Sequence, residues 1–154
     1  MATTPNRMLG HLGDSVMRLE DPPLVAGKGR FAGDVNFPNQ LHMRVVRSPY
    51  AHGEITEIGV AEAQAMPGVV AVWTSESILD IPPIDFREGV NPALEMFRQY
   101  ALARERVRYV GDPVAAVFAE DAYIAEDAAE LVVLDLDPLP VLVNADDPPQ
   151  DFKD

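Results

Sequence analysis

The chain has 154 residues, 47% hydrophobic and 24% charged, the length and balance of about one folded domain rather than of a disordered segment. It contains no cysteine, so it offers neither a disulfide framework nor thiolates for a zinc or iron–sulfur site. A formal net charge of −13 repels phosphate backbones and argues against nucleic acid. No apolar run is long enough for a signal peptide or a membrane span, which makes cytoplasmic residence the expectation.

Residues 1–15 are expected to be a flexible leader. Extended chain then continues to about Gly33, through Asp21-Pro22-Pro23 and the glycine-rich turn Gly27-Lys28-Gly29-Arg30-Phe31-Ala32-Gly33. Leu41, Met43 and Val45 alternate with His42, Arg44 and Val46, the period of a half-buried strand that Ser48-Pro49 ends. A partner strand is expected at 54–58. The alanine-rich stretch 60–66 predicts a helix stopped by Pro67-Gly68. Residues 69–73 read as a β-branched strand, and Thr74 or Ser75 caps a brief helix to Leu79.

From Asp80 to Arg98, prolines at 82, 83 and 92 and the lack of a period predict a surface loop, with one helical turn near 93–97. Strands return at 107–110 and 114–118 on either side of a tight turn at Gly111-Asp112-Pro113. Asp121 is a good N-cap for a helix over 122–131, with Ile124, Ala128 and Leu131 on one face and Glu126, Asp127 and Glu130 in water. A last strand covers 132–136, and the acidic, proline-rich tail 145–154 is expected to be disordered. Strands and helices mix without βαβ alternation, so the fold class is α+β.

Several segments, taken in order, resemble one family: Arg18-Leu19-Glu20-Asp21-Pro22, Gly27-Lys28-Gly29-Arg30-Phe31, Leu41-His42, Arg47-Ser48-Pro49-Tyr50-Ala51-His52, Met66-Pro67-Gly68-Val69, Val110-Gly111-Asp112-Pro113-Val114-Ala115 and Leu139-Pro140-Val141-Leu142-Val143. Together they resemble the opening of the large, molybdenum-carrying subunit of the molybdenum hydroxylases, the xanthine dehydrogenase, aldehyde oxidase and aerobic carbon monoxide dehydrogenase family. That resemblance implies an α/β hammerhead domain over 16–144, of mixed short strands with two or three helices. Gly53 stands where the family more usually has alanine. Asp135-Leu136-Asp137 replaces a commoner pattern with tyrosine.

The resemblance also implies what this chain leaves to others. The family's molybdopterin-contacting glycine-rich segments, and the glutamate that acts as base, lie further along the polypeptide than this domain. No residue here matches them, so no catalytic, cofactor-binding or metal-binding residue is assigned. Molybdopterin, iron–sulfur clusters and FAD are expected in the assembled enzyme, on the remaining large-subunit polypeptide and on partners that include an iron–sulfur subunit. The residues singled out here, as candidates for a partner interface or a substrate channel, are Arg47, Ser48, Tyr50, His52, Gly111 and Asp112.

Independent chemistry finds little support in the residues. Gly27-Lys28-Gly29-Arg30 lacks the four-residue spacer and the following Ser or Thr of a phosphate loop, and a bend is the simpler reading. His11, His42 and His52 are scattered, with no i, i+4 pair to start a metal site. Ser48 precedes a proline, and no serine sits in a nucleophile-elbow context. Residues 120–154 hold 11 acidic residues against Lys153 alone. That segment reads as a solubilising surface or as a docking face for a basic partner. Arg98, Arg104, Arg106 and Arg108 form a basic cluster that either balances the nearby acidic helix within the fold, the favoured reading, or docks a partner.

The expected role is therefore the structural hammerhead portion, as a separate subunit or a truncated product, of an enzyme acting on an aldehyde, an N-heterocycle or a similar small molecule. Two alternatives stay open. One is a stand-alone binding or carrier module, which would need an exposed lysine on a hairpin, whereas only Lys28 and Lys153 exist. The other is a gene remnant with an exposed apolar face.

Overall fold

A computed structural model describes residues 17–84 and 92–144, together with Gly13, Ser15 and Asp146. The expected leader and tail fall almost wholly outside these residues, as does His11. Two units separate within the chain, residues 1–38 and 39–154.

In the first unit, helix α1 (Asp21–Val25) replaces the extended chain expected there. Its prolines occupy the opening positions of the helix, where a missing N–H costs nothing and the fixed φ favours the turn. Asp34 closes a second turn by accepting the Phe31 N–H at 2.9 Å. Neither this turn nor α1 has a buried residue.

The second unit holds strands β1 (His42–Arg47), β2 (Gly53–Gly59), β3 (Val69–Trp73), β4 (Arg106–Val107), β5 (Pro113–Ala119) and β6 (Val133–Pro138), with helices α2 (Ala61–Ala65) and α3 (Ala122–Glu130). Short 3-10 turns cover Ser75–Ile78 and Pro92–Phe97, where brief helical turns were expected. The fold class is α+β, as the mixed pattern implied.

The strands form two antiparallel sheets, ordered β1-β5-β3 and β4-β2-β6. This corrects the expected pairing of the first two strands. β1 lies against β5, while β2 goes to the other sheet between β4 and β6. The strand expected over 107–110 is only two residues long, because Arg108 onward already belongs to the turn. Both misreadings have one cause: Ser48–His52 and Arg108–Asp112 are not hairpin ends but crossings from one sheet to the other.

Each sheet has its own core. Under the first lie Ala63, Val72, Val117 and Ala128, flanked by Val60, Met66, Val69 and Val132. A second cluster joins the second sheet to the start of β5: Ala103, Val107 and the β5 residue Val114, flanked by Ile55, Ile58, Leu134 and Leu136. Val46 packs against both clusters. The face of β1 that carries Val46 is the inward one, leaving Leu41 45% and Met43 59% exposed.

Helix α3 turns Ala125 and Ala128 inward, with Ile124 half-buried and Leu131 at the rim. Asp121 caps it by accepting the Tyr123 N–H at 2.7 Å. Small side chains on the buried face let the helix approach the sheet closely, and Gly68 (φ 86°) fits beneath Ile124. Gly53 is equally tight. A Cβ there would stand 3.0 Å from the Asp137 carbonyl oxygen and would overlap a Leu136 methyl.

The arginines are distributed differently from expectation. Arg106 pairs with Glu54 of β2 at 3.1 Å, and the helix carboxylate Glu126 takes Arg44 from β1 at 3.0 Å. Arg104 lies over the Tyr100 ring, 3.8 Å from its centroid, and donates to the carbonyls of Leu79 and Ile81. The expected alternation of Arg104, Arg106 and Arg108 on one solvent face is not seen: the strand covers only Arg106–Val107, Val107 is fully buried, and the Arg106 side chain is only 16% exposed.

Candidate interface at the crossing of the two sheets

The six candidate residues come from two segments far apart in sequence, and the fold brings them together. The chain leaves β1 through Ser48–His52 to enter β2, and leaves β4 through Arg108–Asp112 to enter β5. These two connections run side by side. The Ser48 N–H donates to the Asp112 carbonyl at 2.9 Å, and the Gly111 N–H donates back to the Ser48 carbonyl at 2.8 Å. The Arg47 guanidinium closes the same loop by donating to the Gly111 carbonyl at 2.8 Å.

Side chains complete the joint. The Ser48 hydroxyl, 2% exposed as a residue, both donates to the Tyr50 carbonyl and accepts the Tyr50 N–H at 3.0 Å. This local bond holds the bend that proline at 49 begins. The Asp112 carboxylate accepts the Arg108 N–H at 3.0 Å across the opposite turn. Gly111 has φ 96°, a left-handed conformation in which any side chain would be strained.

His52 reaches a third segment. Its Nδ1 lies 2.8 Å from the Pro140 carbonyl, which can only accept, so Nδ1 carries the proton. Its own carbonyl accepts the Leu139 N–H at 3.1 Å. The strand exit at 139–140 is thus held to the first crossing, a partner that local reading of a turn histidine does not reveal.

Electrostatics at the joint centre on Asp112. Burial raises its pKa above the ordinary carboxylate range, against the lowering effect of the Arg108 N–H, the Arg108 charge and a bond from Tyr109. Tyr109 is raised in turn, first by desolvation and then by the Asp112 charge. Tyr109, directly before the Val110–Ala115 segment, was not among the candidate residues. Its signal was its position three residues before the aspartate, across a glycine turn.

Chemically, the crossing is a hydrogen-bonded joint. Its polar groups are spent on one another, and among the described residues no buried side-chain nitrogen or oxygen lacks a hydrogen-bond partner. Nor is there, among them, a group of three or more His, Cys, Asp or Glu residues placed to hold a metal ion. With no cysteine in its sequence, the chain offers no thiolate to ligate an iron–sulfur cluster. What remains open to contact is the rim, where Tyr50 is 47%, Tyr109 44% and Val110 65% exposed. Lys28, the lysine a carrier would need, lies just after α1 rather than on a hairpin between strands. No helix of the described residues is long and apolar enough to cross a membrane.

Two three-stranded antiparallel sheets joined by these crossings make an α+β domain of the hammerhead kind. The profile described as the aldehyde oxidase and xanthine dehydrogenase a/b hammerhead domain matches residues 26–140. The chain belongs to that family. It is 44% identical over 140 residues to the 6-hydroxypseudooxynicotine dehydrogenase complex subunit gamma of Paenarthrobacter nicotinovorans, covering 88% of this chain and 18% of that protein. Among solved structures, CO dehydrogenase from Oligotropha carboxidovorans superposes with a TM-score of 0.72 at 37% identity, over 86% of this chain and 16% of that one. Quinoline 2-oxidoreductase from Pseudomonas putida 86 gives 0.69 at 37% identity, over 83% and 16%. The chain thus spans less than a fifth of the length of these relatives.

Proposed function

We propose that this chain is the structural hammerhead portion, with residues 16–144 as the domain, of a molybdopterin-dependent hydroxylase or dehydrogenase. The observation that carries this is the combination of high identity with partial coverage: 88% of this chain matches only 18% of a dehydrogenase subunit. Relatives named for carbon monoxide, quinoline, 6-hydroxypseudooxynicotine and aldehyde oxidation support an aldehyde, an N-heterocycle or a similar small molecule as the substrate class.

In this reading the chain supplies shape. The crossing of Ser48–His52 with Arg108–Asp112 ties the two sheets together, and its exposed rim, with Tyr50, Tyr109 and Val110, meets the rest of the enzyme. Molybdopterin, iron–sulfur clusters and FAD belong to the remaining large-subunit polypeptide and to its partners, and carry the redox chemistry there. Cytoplasmic residence is part of the same proposal and is checked by cell fractionation.

The test is isolation of the tagged chain from its native cells, with identification of its companions by mass spectrometry. A molybdopterin-binding polypeptide and an iron–sulfur subunit are expected in the same complex. A monomer accompanied by neither contradicts the proposal.

A further inference from the structure

We infer that the face of the β1-β5-β3 sheet turned away from α3 is the surface on which the remainder of a large-subunit polypeptide packs. Register places Met43, Phe118 and Ala71 in one row across this face, and Val45, Ala116 and Trp73 in the next. The rows carry no charge. Met43 is 59% and Trp73 46% exposed, and Leu41, just before β1, is 45% exposed. The Trp73 and Phe118 rings pack on each other with centroids 4.6 Å apart, so the aromatic pair is built and still open to one side.

The other sheet shows what a solvated face looks like in this same chain. Its outward positions pair Glu54 with Asp137 and Glu57 with Asp135. An antiparallel sheet with one face in water normally alternates in that way, apolar inward and polar outward. The β1-β5-β3 sheet breaks the rule on the part of its outer side beyond Val114, which is itself buried in the second cluster. Its inner side already has Val72, Val117 and α3. β3 also ends this sheet with a free edge among the described residues, and a groove lined by Gln64 and Val69–Trp73 runs along it. Contiguous apolar surface of this kind marks an interaction site.

The occupant follows from length and charge. The chain spans 18% of its dehydrogenase relative and 16% of the superposed CO dehydrogenase, so more than four fifths of such a polypeptide lies outside it. A second copy is the poorer occupant, since each copy brings a net charge of −13 to the contact. The inference rests on the family role proposed above and adds to it which face is covered.

The test compares tagged chains carrying Met43→Lys, Met43→Gln or Trp73→Lys with Thr56→Lys on the outer side of the other sheet. Each is isolated from native cells, and the copurifying molybdopterin-binding polypeptide is quantified per chain. Circular dichroism confirms that each variant is folded. Met43→Lys and Trp73→Lys are expected to lower that ratio by about tenfold or more, as burying an unpaired charge at an interface centre does. Met43→Gln gives a smaller loss and Thr56→Lys none. Should the wild-type chain bring down the polypeptide and the lysine variants bring down just as much, this face is not the interface although the family role stands. A wild-type dimer that Met43→Lys dissociates also overturns the inference. If the wild-type chain brings down no such polypeptide, the family role fails first and the inference with it.

Discussion

Ser48 and Asp112, 64 residues apart in the chain, are bonded backbone to backbone at 2.9 Å where the two sheet-to-sheet crossings pass each other. Because Ser48 is buried and its hydroxyl serves both polar groups of Tyr50, its removal leaves a bend with an unsatisfied N–H. Ser48→Ala is expected to cost about 1–2 kcal/mol of unfolding free energy. Tyr50→Ala, which leaves those backbone bonds in place, is expected to change stability by about 0.5 kcal/mol or less. Urea unfolding of both variants checks the contrast.

Asp112 makes stability depend on pH in a direction opposite to that of a salt-bridged carboxylate. Its folded pKa is raised by burial, so the native state binds its proton more tightly than the unfolded chain does. This contribution is favourable below the ordinary aspartate value of about 3.9 and is lost as pH rises through the raised folded value. Asp112→Asn keeps an acceptor for the Arg108 N–H and removes the titration. Its stability relative to wild type should therefore improve with rising pH across that window. The same variant should move the Tyr109 ionisation back toward its ordinary range, since the Asp112 charge raises it. Absorbance titration of the phenolate reads the second effect, and an unmoved Tyr109 would count against the coupling.

Gly53 carries a prediction about the family's alanine at this position. A Cβ would overlap a Leu136 methyl and stand 3.0 Å from a backbone oxygen, which cannot easily move. Gly53→Ala is expected to destabilise by about 1–3 kcal/mol through overpacking. Adding Leu136→Val should recover part of that loss, because the flexible contact is then relieved. Thermal melts of the single and double variants test this. Glycine at 53 is thus matched to the close approach of Leu136 and Asp137.

Val46 packs against the clusters of both sheets, so its loss should be felt by both. Val46→Ala is expected to cost about 2 kcal/mol. Trp73 fluorescence, reporting the first sheet, and amide exchange in β2 and β6, reporting the second, should shift together. Separate transitions would show that the sheets unfold independently.

The elements were legible in the sequence because their signals are local. Alternation marks β1, Pro67-Gly68 ends α2, and Asp121 opens α3. The pairing of the strands was not legible. Nothing near Ser48 or Gly111 distinguishes a hairpin end from a crossing between sheets, since the deciding bonds join residues far apart in sequence. For the same reason the candidate residues were readable as two motifs, but their meeting was not. Helix α1 was missed because paired prolines suggest extended chain, although at the first helical turn they are compatible with a helix.

The location of molybdenum tests the proposed family role most directly. In native cells, size-exclusion fractions that contain this chain should also contain molybdenum, in constant ratio across the peak, as measured by plasma mass spectrometry. A chain that elutes by itself, in fractions without molybdenum, would contradict its role as part of a molybdenum hydroxylase.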